Sequence, residues 1–346
     1  MRYALIGCGR VSPEHIRAAQ TNGLEICALA DCVPGQREEN LGAFPGLADT
    51  PFYTDYREML ERERPALTAI ATPSGLHAVM ALDAIAAGSH VIIEKPIAMT
   101  LEDADRIAEA AAAKGAVVCN NLQNRFNPAV QELRRAVDAG RFGRILSAAL
   151  QLRWHRGDDY YAQAAWRGTR ALDGGAMMNQ SIHGIDLVNW LLGGCPESIA
   201  AQKATLLRSI ESEDIAVAAL RFRTGALASL ECMTIMYAGA QEETIQISGT
   251  QGMVRLGGSC AQEVEAWRFA DSGPEEEAEM RRRYGASPES VYGHGHTLLY
   301  ADVLAAIREG HAPLVDAAAG KQALAIVLGA YESAESGKTV AFSDAL

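Results

Sequence analysis

Apolar residues in the first third of the chain come in short solid runs separated by amphipathic stretches. Tyr3–Ile6, Leu24–Ala30, Leu67–Ala71, Val91–Ile93 and Val117–Cys119 are such runs, rich in Val, Ile, Leu and Ala without strict alternation. That is the pattern of strands covered on both faces. The stretches between them predict helices. One has Ser12 as its cap and Pro13 at its first position, and stops at Gly23, a serine-then-proline start of the usual kind. Another begins at Thr100, with Asp103 at capping-box spacing, carries the stripe Leu101, Ala104, Ile107, Ala108 and Ala111, and stops at Lys114-Gly115. Strands and helices in alternation imply right-handed crossovers and an open parallel sheet.

After Asn121 the pattern changes. A helix is expected from Asn127-Pro128 to near Gly140, followed by longer alternating strands over 145–154, 199–207, 215–222, 226–236, 244–248 and 253–256. Thr224-Gly225 and Gly249-Thr250-Gln251-Gly252 read as hairpin turns. This predicts a mostly antiparallel sheet with one covered face. Residues 274–283 (PEEEAEMRRR) read as a charged, solvated segment, and helices near 298–308 and 321–333 close the chain. The expectation is an α/β chain of two domains: 1–120, with a doubly wound parallel sheet, and 121–346, an α/β domain with a large, mostly antiparallel open sheet.

Composition narrows the function. The 346 residues fit two domains of roughly 150 each. Hydrophobic residues are 49% and charged residues 21%, which excludes disorder as the dominant state. Thirty-one basic against 43 acidic residues give −12, which opposes binding to a nucleic-acid backbone but leaves room for a local basic pocket for one small anion. No apolar run approaches ~18 residues, so no membrane span is expected. The N-terminus runs straight into a strand, with no signal segment. Seven cysteines form no C-x-x-C pair; we expect reduced thiols in a cytoplasmic protein, without a disulfide framework or a metal site.

Gly7-Cys8-Gly9-Arg10-Val11-Ser12 follows the first strand and opens the first helix. Gly7 suits the tight bend of a dinucleotide turn and Gly9 the close approach of a pyrophosphate, which would sit on the helix N-terminus. Ser12 stands where a third glycine or alanine is usual. Asp31 ends the second strand, 22 residues beyond Gly9, where a carboxylate accepts from the adenosine ribose and repels a 2′-phosphate. This favours NAD over NADP, with Arg37 nearby to soften the preference. Thr72, Ser74 and His77 follow the third run, where loops at strand carboxyl ends face the ligand; His77 is equally compatible with an ordinary helix-start histidine.

Glu94-Lys95-Pro96 follows the strand at 91–93. Lysine is seldom buried unless paired, and Lys95 could polarise a hydroxyl or carbonyl oxygen or move a proton; a surface Lys–Glu pair reads equally well. The stretch 174–193 predicts a helix stopped by Gly193-Gly194. At ~100° per residue its Asn179, His183, Asp186 and Trp190 share one face. Residues 153–170 carry Arg153, Arg156, Arg167 and Arg170 among Trp154, Tyr160, Tyr161 and Trp166, which suits sugar stacking and anion clamping as well as a solvated connection.

Together the glycine turn, Asp31, Glu94-Lys95-Pro96, Trp166-Arg167, Gly174-Gly175 and His183-x-x-Asp186 resemble the Gfo/Idh/MocA oxidoreductase family, over nearly the whole chain. The resemblance implies a Rossmann domain binding NAD, and a second α/β domain whose open sheet serves in a homodimer or homotetramer. It implies that Lys95 and His183 act at the substrate; which of the two is the base stays open. Cofactor contacts are expected from Gly7, Gly9, Arg10, Val11, Asp31, Thr72, Ser74, His77, Glu94, Lys95, Gln123, Trp166 and Arg167, and substrate contacts from Arg125, Tyr161, Arg167, Asn179 and Asp186. Inositol dehydrogenases of the family place an aspartate where this chain has Asn179, and an amide cannot take a proton at neutral pH. The run from Tyr160 to Leu187 looks closer to the UDP-N-acetylglucosaminuronate 3-dehydrogenase branch, and its arginines would suit an anionic nucleotide sugar. The implied activity is NAD-dependent oxidation of a secondary hydroxyl of a sugar or nucleotide sugar, at C3 of a UDP-N-acetylhexosaminuronate if the branch holds. Alternatives are a free-sugar or inositol dehydrogenase, an NAD-dependent glycosidase, and a non-catalytic NAD- or sugar-sensing protein.

Overall fold

The computed structural model describes every residue except 45, 240, 286–292, 294 and 344–346. The chain divides into two compact units, Met1–Gln123 with His294–Lys321, and Asn124–Gly293 with Gln322–Leu346. The first unit holds a six-stranded sheet of β1 (Arg2–Ile6), β2 (Glu25–Ala30), β3 (Phe52–Tyr53), β4 (Leu67–Ile70), β5 (His90–Ile93) and β6 (Val118–Asn120). Their order is β3-β2-β1-β4-β5-β6, and every pairing is parallel. Between the strands run α1 (Ser12–Thr21), α2 (Gln36–Leu41), α3 (Tyr56–Glu63), α4 (His77–Ala86) and α5 (Leu101–Lys114). The reversal of strand order at β1 and β4 is the switch point at which such sheets bind ligands. The solid apolar runs are explained by burial: β1, β4 and β5 are covered almost throughout. The two-residue edge strand β3 carries no pattern of its own and was not anticipated.

In the second unit come α6 (Pro128–Asp138), β7 (Ile145–Trp154), α7 (Asp158–Ala162), a π-helical segment Ala176–Ser181, and α8 (Ile182–Leu191). They are followed by β8 (Ser198–Ala204), β9 (Ile215–Arg221), β10 (Leu227–Met233), β11 (Gln241–Gly249), β12 (Gly252–Gly257), β13 (Glu263–Phe269) and α9 (Pro274–Tyr284). The chain ends with α10 (Gly295–Glu309), α11 (Ala317–Ser336) and β14 (Val340–Ala341). The eight strands are ordered β13-β12-β11-β7-β10-β9-β8-β14. Only β7 and β10 pair in parallel; the other pairings are antiparallel. Strict alternation of buried and exposed positions in β9 marks one covered and one open face.

Strands β13 and β14 lie outside the sequence reading, and three further elements differ from it. The run at 199–207 ends at Ala204 because the Asp214 carboxylate takes the N–H groups of Leu206, Leu207 and Arg208 at 2.8–2.9 Å. Residues 274–284 form a helix instead of an irregular segment: three glutamates in its first turn and three arginines in its last complement the helix dipole, and Met280 is buried beneath it. The helix expected from 174 opens as a π-helix and becomes α-helical only from Ile182.

Glu243 of β11 is buried, and its Oε1 has no hydrogen-bond partner among the described residues. It lies against Gly184 of α8, where a Cβ would stand 2.7 Å from that oxygen. Burial pushes its carboxyl up to about 8. Below the ordinary carboxylate range both folded and unfolded chains are protonated. As pH rises through that range the unfolded chain ionises and the folded one does not, so stability falls until about pH 8 and then levels. Glu243→Gln removes this dependence. Its stability relative to wild type should rise by about 3 kcal/mol between pH 5 and pH 8 in urea titrations; parallel pH curves for the two proteins would contradict the burial argument.

Candidate functional site

The nucleotide end lies at the carboxyl edge of the parallel sheet. Gly7 leaves β1 at φ +96°, its N–H bonded to the Ala30 carbonyl at 2.8 Å, and a Cβ there would press on the Ala71 carbonyl group, 2.6 Å from its carbon. Gly9 faces open space, with nothing within 4 Å of where a Cβ would stand. The cap of α1 is Val11, not Ser12, and no side chain closes its N–H groups. Ser12 is the first helical residue, and its buried Oγ has no partner among the described residues. A helix start without a side-chain cap, an orphan hydroxyl and a bare glycine form an anion cradle, which fits a dinucleotide diphosphate. Arg10 is exposed and Val11 half-buried beside it.

Asp31 accepts from the N–H groups of Cys8 and Val33, each at 2.8 Å, so it braces the glycine turn. Ser74 is buried and opens a short 3-10 turn; the Thr72 hydroxyl meets Met80 Sδ at 3.4 Å. His77 is buried with both ring nitrogens on backbone carbonyls, Pro96 at 2.7 Å and Thr72 at 3.0 Å. It ties the loop after β4 to the loop after β5. Gln123 is buried, and its Oε1 has no partner among the described residues.

Lys95 is half-buried and joined to Pro96 by a cis peptide. Glu94 turns inward instead. Its Oε1 accepts from His15 Nε2 at 3.1 Å and from Asn121 Nδ2, and its Oε2 from the Lys95 N–H at 3.2 Å. His15 Nδ1 meets the Tyr300 hydroxyl at 2.7 Å, and Tyr300 meets Tyr3 at 2.9 Å. Asn121 also reaches His296 Nε2 at 2.8 Å. Burial opposes the charge on Glu94, but the hydrogen bond from His15 and the nearby His296 ring outweigh it and hold the carboxyl well below its usual range. Burial pushes His15 down. Sequence reasoning missed His15, Asn121, His296 and Tyr300: they lie in separate segments of the chain, and only the fold brings them together.

In the second unit, Gly174 (φ +89°) and Gly175 lead into the π-helical segment. A Cβ on Gly174 would lie 2.5 Å from that of Met178, and one on Gly175 would collide with the Glu213 carboxylate. Glu213, also missed, accepts from the Met177 N–H at 2.8 Å and the Tyr331 hydroxyl at 2.9 Å, and so anchors the start of the helix. Asn179 donates to Asp173 and accepts from Gln180 Nε2, while Asp173 also accepts from the Gly168 N–H. His183 is half-buried in the first turn of α8. Asp186 forms a bidentate pair with Arg125 at 2.6 and 2.8 Å, 1% and 5% exposed, with Arg125 over Trp190.

The 153–170 loop organises around Tyr160. Arg156 lies 5.0 Å and Arg167 4.3 Å from its ring centroid, and Arg167 also covers Trp166 at 4.8 Å. Gln180 donates to the Tyr160 hydroxyl and accepts from Arg156. The Tyr161 hydroxyl meets Thr234 at 3.3 Å. Two guanidinium groups stacked on one ring present a planar, permanently charged donor set.

Residues 1–122 match the model of an oxidoreductase family with an NAD-binding Rossmann fold, and residues 130–255 that of the GFO/IDH/MocA C-terminal domain. The WlbA dehydrogenase from Bordetella pertussis, solved in complex with NADH and UDP-GlcNAcA, is 36% identical with a TM-score of 0.88, over 99% of this chain and 98% of that one. The WlbA protein of Chromobacterium violaceum, in complex with the same two molecules, is 33% identical with a TM-score of 0.89, over 99% and 96%. A D-apiose dehydrogenase of Paraburkholderia graminis is 27% identical over 97% of this chain and 88% of its own.

Proposed function

From the premise that the chain belongs to the Gfo/Idh/MocA oxidoreductase family and is an NAD-binding sugar-type oxidoreductase, we propose that its substrate is a UDP-linked sugar uronate, oxidised at a ring secondary hydroxyl. The observation that carries this reading is the likeness, along 99% of the chain, to a dehydrogenase holding NADH and UDP-GlcNAcA. The stacked Arg156 and Arg167 support it, because a uronate and a diphosphate both call for planar cationic donors. Gly7, Gly9 and the uncapped α1 would hold the diphosphate of NAD, and Asp31 the adenosine ribose. Bound NAD supplies the hydride acceptor. Lys95 donates a hydrogen bond to the reacting oxygen, and His183 takes the hydroxyl proton. Asn179, with its amide oriented by Asp173 and Gln180, orients the sugar and moves no proton. Arg125 and Asp186 hold α8 in place.

A thermal-shift series with NAD present tests the substrate. UDP-GlcNAcA should raise the melting temperature in a saturable way, as expected for a ligand that binds the folded state, whereas UDP-GlcNAc, inositols and D-apiose should do so weakly. A larger shift with inositol or D-apiose would transfer the assignment to a free-sugar dehydrogenase. Run with NAD and NADP, the same assay on Asp31→Ala should show loss of preference for NAD; an unchanged preference would show that another group sets it.

The open face of the large sheet carries Ala200, Gln202, Val217, Ala219, Leu227 and Ser229, all exposed, with few charges. We infer that a second copy of the chain covers it, giving a homodimer or homotetramer, and that the seven free thiols belong to a reducing, cytoplasmic setting. Sedimentation at micromolar concentration should give two or four subunits; a lone monomer would remove this inference.

A further inference from the structure

Among the described residues, Glu94 is the one carboxylate buried within the nucleotide-binding unit, and its hydrogen-bond partners favour the anion. Three N–H donors converge on it, from His15 of α1, the Asn121 side chain after β6, and the Lys95 backbone. The pattern is consistent donor by donor. Tyr300 gives its hydroxyl proton to His15 Nδ1, which leaves the Nε2 proton for Glu94. The Asn121 amide gives one proton to Glu94 and the other to His296 Nε2. Such a set holds a carboxylate ionised even in the interior. His15, Glu94 and His296 also lie close enough to hold a metal ion, but the Asn121 amide already donates to both Glu94 and His296, the position a cation would need.

Glu94 follows β5, which pairs with β4, one of the two strands at the switch point. In a sheet of this order the adenosine half lies over β2, where Asp31 stands, and the nicotinamide half lies over β4 and β5. The oxidised nicotinamide ring carries a positive charge and the reduced ring none. Lys95, also positive, occupies the same loop.

We propose that the inward-facing Glu94 carboxylate offsets the Lys95 charge and makes the protein bind oxidised NAD in preference to the reduced form, acting as a charge-setting residue that takes no part in proton transfer. The proposal rests on the NAD-binding reading and goes beyond it, because it assigns the Glu94–His15–Asn121 network a role in choosing the redox state of the bound cofactor. Across about 12 Å, at an effective dielectric of about 20, one unit charge changes an affinity on the order of tenfold.

Calorimetric titration of Glu94→Gln with NAD⁺ and with NADH tests it. Affinity for NAD⁺ should fall about tenfold while that for NADH changes by less than about threefold. Glu94→Asp, which keeps the charge, should retain most of the wild-type ratio. A purely structural role would shift both affinities alike and leave their ratio unchanged, which would overturn the proposal. Should Glu94→Gln fail to fold, wild-type protein gives the answer with benzamide adenine dinucleotide, a neutral isostere of NAD⁺. It should bind about tenfold more weakly than NAD⁺, and equal affinities would overturn the proposal. Zinc titrated into the wild-type protein should give no stoichiometric heat; a one-to-one site lost in His296→Gln would replace the charge-setting role with a metal site. Failure of wild-type protein to bind either nucleotide would count against the cofactor reading itself, separately from all of these.

Discussion

Lys95→Met and His183→Ala are each expected to lower turnover by about 10²–10⁴-fold, the usual contribution of a positioned proton-handling group; NAD⁺ affinity should stay within a few-fold of wild type in His183→Ala and rise by up to about tenfold in Lys95→Met, which removes the charge that Glu94 offsets. Neither residue belongs to the cradle at Gly7, Gly9 and α1, so cofactor titration separates their loss from a general collapse of the site. The two should differ in pH response. Without His183 the remaining activity should climb with pH, because hydroxide or water must take the proton; without Lys95 the reacting oxygen loses a hydrogen bond, and the defect should appear in kcat more than in KM. Near-wild-type turnover in either variant would remove that residue from the mechanism. NADH formation is the direct readout, at saturating UDP-GlcNAcA or at whichever sugar the thermal-shift series selects.

Asp186→Ala should destabilise the second unit by about 3–5 kcal/mol, since it leaves a buried guanidinium without its counter-charge. Arg125 is 5% exposed and bonded to both carboxylate oxygens, so it has no route to water while α8 stays packed. The double replacement Arg125→Met with Asp186→Leu should recover most of that loss, because apolar groups of similar size often substitute for a buried pair at little cost. Urea denaturation of the two single variants and the double variant measures this directly. A large fall in kcat/KM with unchanged stability would return the pair to direct contact with substrate.

The parallel sheet was legible because its strands are covered on both faces and its helices carry their own caps: Thr100 accepts from the Asp103 N–H at 3.1 Å, and Gly115 closes α5 at φ +64°. The large sheet was legible through alternation. The geometry within the site was less so, because hydrogen-bond partners are matters of distance in space. His77 could be placed in a loop facing the cofactor, but not with both ring nitrogens turned to backbone carbonyls. Asp186 sits three residues from His183, yet its partner is Arg125, 61 residues back. The π-helical start at Ala176 answers to Glu213 and Tyr331, which no local pattern connects to it. Glu94 read as the companion of Lys95, and its inward turn depends on histidines at 15 and 296.

Those distant histidines bear on how the protein is made. His296 and Tyr300 stand on α10, which belongs to the same compact unit as residues 1–123 although every strand of the large sheet but the last, β14, is encoded between them. A nascent chain that has emerged only to residue 123 therefore lacks part of the interior of its own first unit: Tyr3, His15 and Glu94 have no Tyr300 or His296 to meet. Chains usually fold unit by unit as the ribosome delivers them. Here the nucleotide-binding half must wait for nearly the last segment to be translated, and a gene truncated after the sixth strand should yield an insoluble fragment.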